Sequence, residues 1–102
     1  MGFKAAKAAV VKALRLGNFE HENREPEKNL LAIGDIEADE VARLVLKTSS
    51  RDYDESPHHW EPTVTVHTFR PTVEGQRWYI KAYFIDPPED GATFISVHRS
   101  EQ

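Results

Sequence analysis

The chain has 102 residues, of which 39% are hydrophobic and 29% are charged, and it carries no cysteine. This length suits one domain with a single core, so we treat residues 1–102 as one unit. The lack of cysteine excludes disulfides, thiolate zinc sites and a cysteine nucleophile. Since no apolar run is long enough to cross a bilayer and the N-terminus lacks an apolar signal region, we expect a cytoplasmic protein with no membrane partner.

Charge is unevenly distributed along the chain. The formal net charge is −4 at pH 7, yet residues 1–16 contain four Lys or Arg and no acid. Residues 17–61 contain twelve acids against five Lys or Arg. Because the chain as a whole is not basic, any binding of nucleic acid must use a local group of cations.

Apolar residues at helical spacing predict two helices in the first half of the chain. The first spans residues 3–16, which are rich in Ala, Lys and Leu. The second spans residues 38–48 and has acids in its first turn, where the helix dipole favours them. Residues 18–29 are predicted to be mostly loop with a short edge strand near Phe19, and residues 48–57 are predicted to be a polar loop.

From residue 63 onward the alternation of apolar and polar residues has the period of a β-strand. It predicts three antiparallel strands over residues 63–70, 77–85 and 92–99. A hairpin turn at 74–76 joins the first two, and a turn at 86–90 joins the last two. The predicted fold class is α+β, with two N-terminal helices packed on a C-terminal antiparallel sheet.

If the three strands pair as a meander, alternation could bring four polar side chains to one face of this sheet, and the sequence alone leaves this convergence open. They are His67 from the first strand, Tyr79 and Lys81 from the second, and His98 from the third. In the third strand, strict alternation places Phe94 on the same side as His98. A solvated surface is the commoner explanation for such a set. However, Lys81 lies in the most apolar segment, which fits either a side chain that reaches water past aromatic rings or a surface that binds an anion such as phosphate.

Histidine is the residue type available for acid–base chemistry near neutral pH. Four of the five histidines lie in the second half of the chain: His58, His59, His67 and His98. They do not form a motif with metal-ligand spacing, so we expect no metal and no cofactor. For His58 and His59 the alternative is a role in ordering a loop. A phosphate-binding glycine loop and a serine-hydrolase elbow are both missing from the sequence.

Six short segments of the second half carry a family resemblance through their order and spacing. They are Tyr53, Ser56-Pro57-His58-His59-Trp60, Phe69-Arg70-Pro71, Gly75-Gln76, Trp78-Tyr79-Ile80-Lys81 and Phe94-Ile95-Ser96-Val97-His98-Arg99. Together they resemble the motility quorum-sensing regulator (MqsR) type of toxin, which belongs to the RelE-like messenger-RNA endoribonucleases of bacterial type II toxin–antitoxin systems. The likeness covers about half of the chain.

The resemblance implies a RelE-like fold and an mRNA interferase that cleaves messenger RNA without a metal. In this reaction the 2′-hydroxyl attacks the adjacent phosphate, which leaves a cyclic phosphate and a 5′-hydroxyl. A base, an acid and cations beside the phosphate suffice for such chemistry. The implied partners are the messenger RNA, a cognate antitoxin protein and, for enzymes that act during translation, the ribosome.

The resemblance also implies roles for particular residues. Tyr79 matches the family's strand tyrosine, and His98 stands where the family carries a catalytic lysine. We therefore expect His98 to act as general acid or base, Lys81 and Arg70 to contact phosphate, and Tyr79 to donate a hydrogen bond or stack on a base. His67 is a secondary catalytic candidate. The substrate-binding candidates are His58, His59, Tyr53 and Arg99.

Two further function classes fit the same sequence. A non-catalytic interaction module of the same fold would dock a partner on the aromatic side chains of Trp78, Tyr79 and Tyr83. Replacement of His98 and Lys81 separates this class from an enzyme, because cleavage falls by about 10²-fold or more whereas binding survives. A histidine-based metal hydrolase would lose its activity with a chelator.

Overall fold

The computed structural model describes residues 1–22, 26–84 and 91–100, and within these ranges the chain forms two α-helices and a six-stranded mixed sheet. This confirms the α+β class. The helices are α1 (Phe3–Leu16) and α2 (Ala38–Leu46). The strands are β1 (Phe19–His21), β2 (Tyr53–Pro57), β3 (Thr65–Phe69), β4 (Thr72–Val73), β5 (Gln76–Tyr83) and β6 (Ala92–Arg99).

Both predicted helices are present, and α2 ends two residues before the predicted boundary. Each buries one apolar stripe, with Val10 of α1 and Val41 of α2 fully buried. Gly17 ends α1 in the left-handed region at φ 70°, where its backbone N–H donates to the carbonyl of Leu14. Within the described residues, no helix is long and apolar enough to cross a membrane.

The strands lie in the order β1-β6-β5-β3-β2, and β4 pairs with β5. The predicted antiparallel pairing is confirmed for β3, β5 and β6, but the edge strand predicted near Phe19 pairs with β6 in parallel. The predicted loop over residues 48–57 is wrong in its second half, which forms β2 at the opposite edge of the sheet. The alternation of apolar and polar residues did not predict β2 because its three middle residues, Asp54, Glu55 and Ser56, are all polar and exposed.

A turn lies at the place that the sequence predicts, but only Glu74 and Gly75 form it, and it joins β5 to β4, a short strand that the sequence does not predict. Both residues have positive φ, 53° and 80°, as a type I′ hairpin turn requires. The turn predicted at residues 86–90 lies outside the described residues, as does residue 85 at the end of the predicted second strand.

The two faces of the sheet differ in what covers them. The helix face packs against both helices and contains Phe69, Ile80 and Phe94, all fully buried. The other face, which we call the open face, contains the half-buried Tyr79 and His98. Alternation along the strands therefore separates the core from the candidate residues.

A β-bulge in β6 determines which side chains share a face. Lys81 pairs with Ser96 while its neighbour Ala82 pairs with Phe94, so Ile95 is an extra residue in β6. Phe94 therefore lies on the helix face, whereas Ser96 lies on the open face. The prediction that Phe94 shares a side with His98 is wrong, because strict alternation assumes a strand without a bulge.

Candidate active site

Tyr79 and His98 stand opposite each other on β5 and β6. They are register partners, and their ring centroids are 5.3 Å apart. Lys81 lies two residues along β5 on the same face, with Nζ 5.6 Å from the centroid of the Tyr79 ring. All three side chains are half-buried. The structure thus brings together a phenol, an imidazole and an ammonium group on the open face.

Arg70 adds a fourth side chain to this group on the β3 side, and we call the four residues Arg70, Tyr79, Lys81 and His98 the Tyr79 row. The backbone N–H of Trp78 donates to the carbonyl of Pro71 at 2.8 Å, which extends the β3–β5 ladder past Phe69. At this register Arg70 stands opposite Tyr79. In the described part of the chain, the Arg70 side chain forms no salt bridge. Its guanidinium is therefore a second cation available beside the tyrosine.

A cleft of about 400 Å³ opens beside Tyr79 and His98. This volume is in the range of small-molecule sites, about 300–1,000 Å³, and suits a nucleotide. The cleft combines cations, hydroxyl groups and a carboxylate. Its remaining lining residues are Glu27 and Lys28 from the short 3₁₀ turn Pro26–Lys28, and Arg99 and Ser100 from the end of β6.

Asn29 holds this 3₁₀ turn against β6. Its side chain is fully buried, and its Nδ2 donates to Nδ1 of His21 at 3.1 Å and to the carbonyl of Phe94 at 3.4 Å. The backbone N–H of the next residue, Leu30, donates to the carbonyl of Val97 at 2.7 Å. These bonds explain how a turn that is distant in sequence comes to line the cleft.

The hydrogen bonding of His98 leaves one ring nitrogen available. Nδ1 lies 3.0 Å from the carbonyl oxygen of Arg99, and because a carbonyl only accepts, Nδ1 carries a proton and donates it. Nε2 is then the nitrogen that can exchange a proton with a bound molecule.

The Arg99 guanidinium lies over the Trp78 ring, with Cζ 4.8 Å from the centroid.

His67 lies on the opposite face from this row. It pairs with Ala82 and is only 3% exposed, whereas Thr68 occupies the position opposite Lys81. His67 therefore does not converge with Lys81 and His98, a point that the sequence left open. Because side chains alternate along a strand, a difference of one position in register moves a residue to the other face.

Tyr53 lies on the helix face beside His67. Its hydroxyl oxygen is 2.5 Å from Oε2 of Glu55 and 2.6 Å from Nδ1 of His67. Its ring also packs against Phe3, 5.2 Å away between centroids, which ties β2 to α1. Burial raises the pKa of Tyr53, and Glu55 adds to this effect. The structure thus places Tyr53 away from the cleft and in contacts that stabilise the fold.

Burial also perturbs His67. It lowers the pKa of the imidazole, the Glu55 carboxylate opposes this shift, and the N-terminal amino group adds to it. The result is an imidazole whose protonation is disfavoured in the folded chain.

His58 is buried in a network of hydrogen bonds. Its Nδ1 accepts from the backbone N–H groups of Trp60 at 3.1 Å and Glu61 at 3.2 Å, so Nε2 carries the proton and donates to Oε2 of Glu22 at 2.7 Å. The hydroxyl of Tyr83 donates to the same carboxylate oxygen at 2.8 Å. These contacts favour the explanation that His58 orders its loop.

His59 and Trp60 lie on the exposed part of that loop, beyond the ring of His58. The His58 ring packs edge-on against Tyr83, which is four residues along β5 from Tyr79. At roughly 3.3 Å per residue, this loop is about 13 Å from the Tyr79 row. The structure therefore does not bring His58 and His59 into the cleft.

The aromatic docking surface predicted from Trp78, Tyr79 and Tyr83 is not formed. Trp78 lies in the core on the helix face, and Tyr83 is only 9% exposed. Tyr79 alone of the three is half-exposed on the open face. The non-catalytic module inferred from that surface loses its main support.

Sequence reasoning missed the contribution of Glu27 and Lys28 to the cleft. Both lie in a stretch without periodicity, so no local pattern marks them, and their position depends on the buried Asn29. Groups of three or more His, Cys, Asp or Glu side chains suited to a metal ion are not found among the described residues.

Comparison with known proteins does not assign the chain to a family. No family model matches the chain, and no curated protein matches it.

Proposed function

We propose that the protein is an mRNA interferase, the toxin of a type II toxin–antitoxin system with a RelE-like fold. The observation that carries this proposal is the pairing of Tyr79 with His98 on the open face, with Lys81 two residues along β5 and Arg70 opposite the tyrosine on β3. The sequence resemblance to MqsR-type toxins supports it, because Tyr79 and the last-strand position of His98 are among the matched sites.

The proposed reaction is a metal-independent cleavage of RNA. The 2′-hydroxyl attacks the adjacent phosphorus, and the 5′-oxygen of the next nucleotide leaves. His98 serves as general acid or base through Nε2, since its Nδ1 is held by the carbonyl of Arg99. Such proton transfer by a positioned side chain contributes about 10²–10⁴-fold to a rate.

Cations and hydroxyl groups stabilise the phosphate as negative charge accumulates on it. In this proposal Lys81 and Arg70 contact the non-bridging oxygens of the phosphate. Both lie on the open face next to Tyr79, Lys81 two residues along β5 and Arg70 opposite it on β3. The Tyr79 hydroxyl donates a hydrogen bond to the same group, or its ring stacks on a neighbouring base. Preorganised donors of this kind usually lower the barrier of such reactions more than any other single effect.

The proposed partners follow from this surface. The messenger RNA lies over the open face in the cytoplasm, either alone or on the translating ribosome, and a cognate antitoxin neutralises the enzyme by covering the same face. Expression of the protein without the antitoxin is then expected to arrest growth.

The test is incubation of the purified protein with a long messenger RNA in EDTA, followed by mapping of the 5′ ends. Wild type is compared with His98→Ala and with Arg43→Ala, an exposed change on α2. We expect chelator-resistant cleavage with 5′-hydroxyl ends in wild type and Arg43→Ala, and a rate lower by about 10²-fold or more in His98→Ala. RNA that stays intact both alone and with translating ribosomes contradicts the proposal.

A further inference from the structure

The cleft beside Tyr79 and His98 contains one more group able to take a proton, the carboxylate of Glu27. Glu27 is an exposed residue in the middle of the 3₁₀ turn Pro26–Lys28. Within the described ranges its side chain forms no salt bridge. The carboxylate is therefore accessible to a molecule bound in the cleft.

The position of Glu27 is set by buried contacts. Two residues further on, Asn29 is 1% exposed, and its Oδ1 accepts from the backbone N–H of Ala32 at 3.0 Å. The Leu30 N–H bonded to Val97 then fixes the chain beside β6. Glu27 thus reaches the cleft from the edge of the sheet, whereas His98 reaches it from β6 itself.

Cleavage by the 2′-hydroxyl requires two proton transfers, and one histidine supplies only one of them at a time. The other cleft residues are poor candidates for the base. Lys28 is a cation that suits the phosphate, the Arg99 guanidinium lies over Trp78, and Tyr79 and Ser100 carry hydroxyl groups. Among the described residues that line the cleft, Glu27 is the only carboxylate.

We propose that Glu27 is the general base of the cleavage and that His98 is its general acid, an assignment that rests on the proposed ribonuclease function. The Glu27 carboxylate takes the proton of the 2′-hydroxyl as the 2′-oxygen forms a bond to phosphorus. The bond from phosphorus to the 5′-oxygen breaks, and Nε2 of protonated His98 gives its proton to that oxygen.

The products are a 2′,3′-cyclic phosphate, whose 2′-oxygen has lost its proton, and a 5′-hydroxyl, whose oxygen has gained one. One proton has moved onto Glu27 and one has left His98. Loss of the first to water and uptake of the second from water restore the enzyme. Lys28, next to Glu27 in the same turn, adds a positive charge beside the reacting phosphate.

The test is the pH dependence of kcat/KM for a short RNA with one cleavage site. A base must be deprotonated and an acid protonated, so wild type should show a bell-shaped profile. Glu27→Gln should reduce kcat/KM by about 10²-fold or more and remove the rise on the acidic side. His98→Ala should remove the fall on the alkaline side. Glu40→Gln, an exposed change on α2, is the matched control and should reproduce the wild-type profile.

Added formate supplies a second measurement. If Glu27 is the base, formate should restore part of the kcat lost in Glu27→Ala and leave His98→Ala unchanged. The assignment of Glu27 is overturned if Glu27→Gln keeps the rise of kcat/KM on the acidic side of the pH profile, or if the substitution raises KM alone. As long as wild type cleaves RNA, the ribonuclease proposal stands in either case. A wild-type protein that cleaves no RNA overturns both.

Discussion

His98 lies over Tyr79 because β6 contains one residue more than its partner strand between Phe94 and Ser96. In a regular strand Phe94 and His98 would lie on the same face, so burial of the phenylalanine would also bury the histidine. The extra residue Ile95 lets the same strand place a fully buried Phe94 in the core and a half-buried His98 on the open face. Bulges commonly re-aim side chains in this way beside functional sites.

The cations of the open face give the first prediction. Lys81→Met keeps the apolar stem but removes the charge, and Arg70→Ala removes the guanidinium. A hydrogen bond to a charged group contributes about 1.5–3 kcal/mol, so each change should lower kcat/KM by roughly 10- to 100-fold. Each should also weaken the salt dependence of RNA binding, which fluorescence anisotropy measures.

Arg43→Ala on the exposed surface of α2 is the matched control for charge, and it should leave both quantities unchanged. Cleavage by Lys81→Met at the wild-type rate would contradict a role for this cation at the phosphate.

The local pattern of the sequence predicts the helices well and the site less completely. Val10 and Val41 repeat at helical spacing, and Gly17 marks the end of α1, so these elements follow from short-range rules. His67 shows the limit of such rules, because alternation alone does not say which face of β3 meets the helices. That choice depends on Phe69, which shares a side with His67 and packs into the core.

Glu27 shows a second limit, since its place in the cleft depends on bonds between distant parts of the chain. Asn29 donates to the carbonyl of Phe94, which lies 65 residues away in sequence. No periodic pattern reports a contact of this kind. The bulge at Ile95 is similar, because it appears only when the register between β5 and β6 is known.

The hydrogen bond from Tyr83 to Glu22 gives a prediction about stability. Tyr83→Phe removes a 2.8 Å bond to a carboxylate in a nearly buried setting, and it should lower the free energy of unfolding by about 1–3 kcal/mol. Tyr79→Phe makes the same chemical change on the half-exposed row and should cost less than about 0.5 kcal/mol. Urea denaturation of both variants measures the difference. Equal unfolding free energies would show that the Glu22 bond contributes nothing.

The buried imidazole of His67 gives a prediction about pH. Burial lowers its pKa in the folded chain, whereas the unfolded chain protonates near the ordinary value of about 6.5. The unfolded state therefore binds more protons as the pH falls from about 6.5 toward the lowered pKa, and the free energy of unfolding decreases across this window. Above it, His67 contributes no pH dependence.

His67→Gln should reduce this slope, even if the substitution also lowers stability at every pH. Urea midpoints between about pH 7.5 and pH 5 measure it. Burial lowers the pKa of His21 too, so part of the slope should persist in the variant. A slope identical to that of wild type would assign the whole acid sensitivity to groups other than His67.

Gly91, the residue immediately before β6, gives a prediction about the junction with β1. Its φ is +104°, and an added Cβ would lie 2.5 Å from the backbone oxygen of Asn18, the same oxygen that accepts from Ala92. Gly75 has a similar positive φ of +80° but no atom within 4 Å of an added Cβ. Gly75→Ala should therefore show only the cost of the left-handed backbone, about 1–2 kcal/mol.

Gly91→Ala should cost about 1–3 kcal/mol more than Gly75→Ala, because the backbone of Asn18 must move as well. Urea denaturation gives the two unfolding free energies, and hydrogen exchange at the Ala92 N–H reports whether the bond to Asn18 is lost. Equal costs for the two glycine substitutions, with protection at Ala92 retained, would contradict a close approach between the start of β6 and the residue that precedes β1.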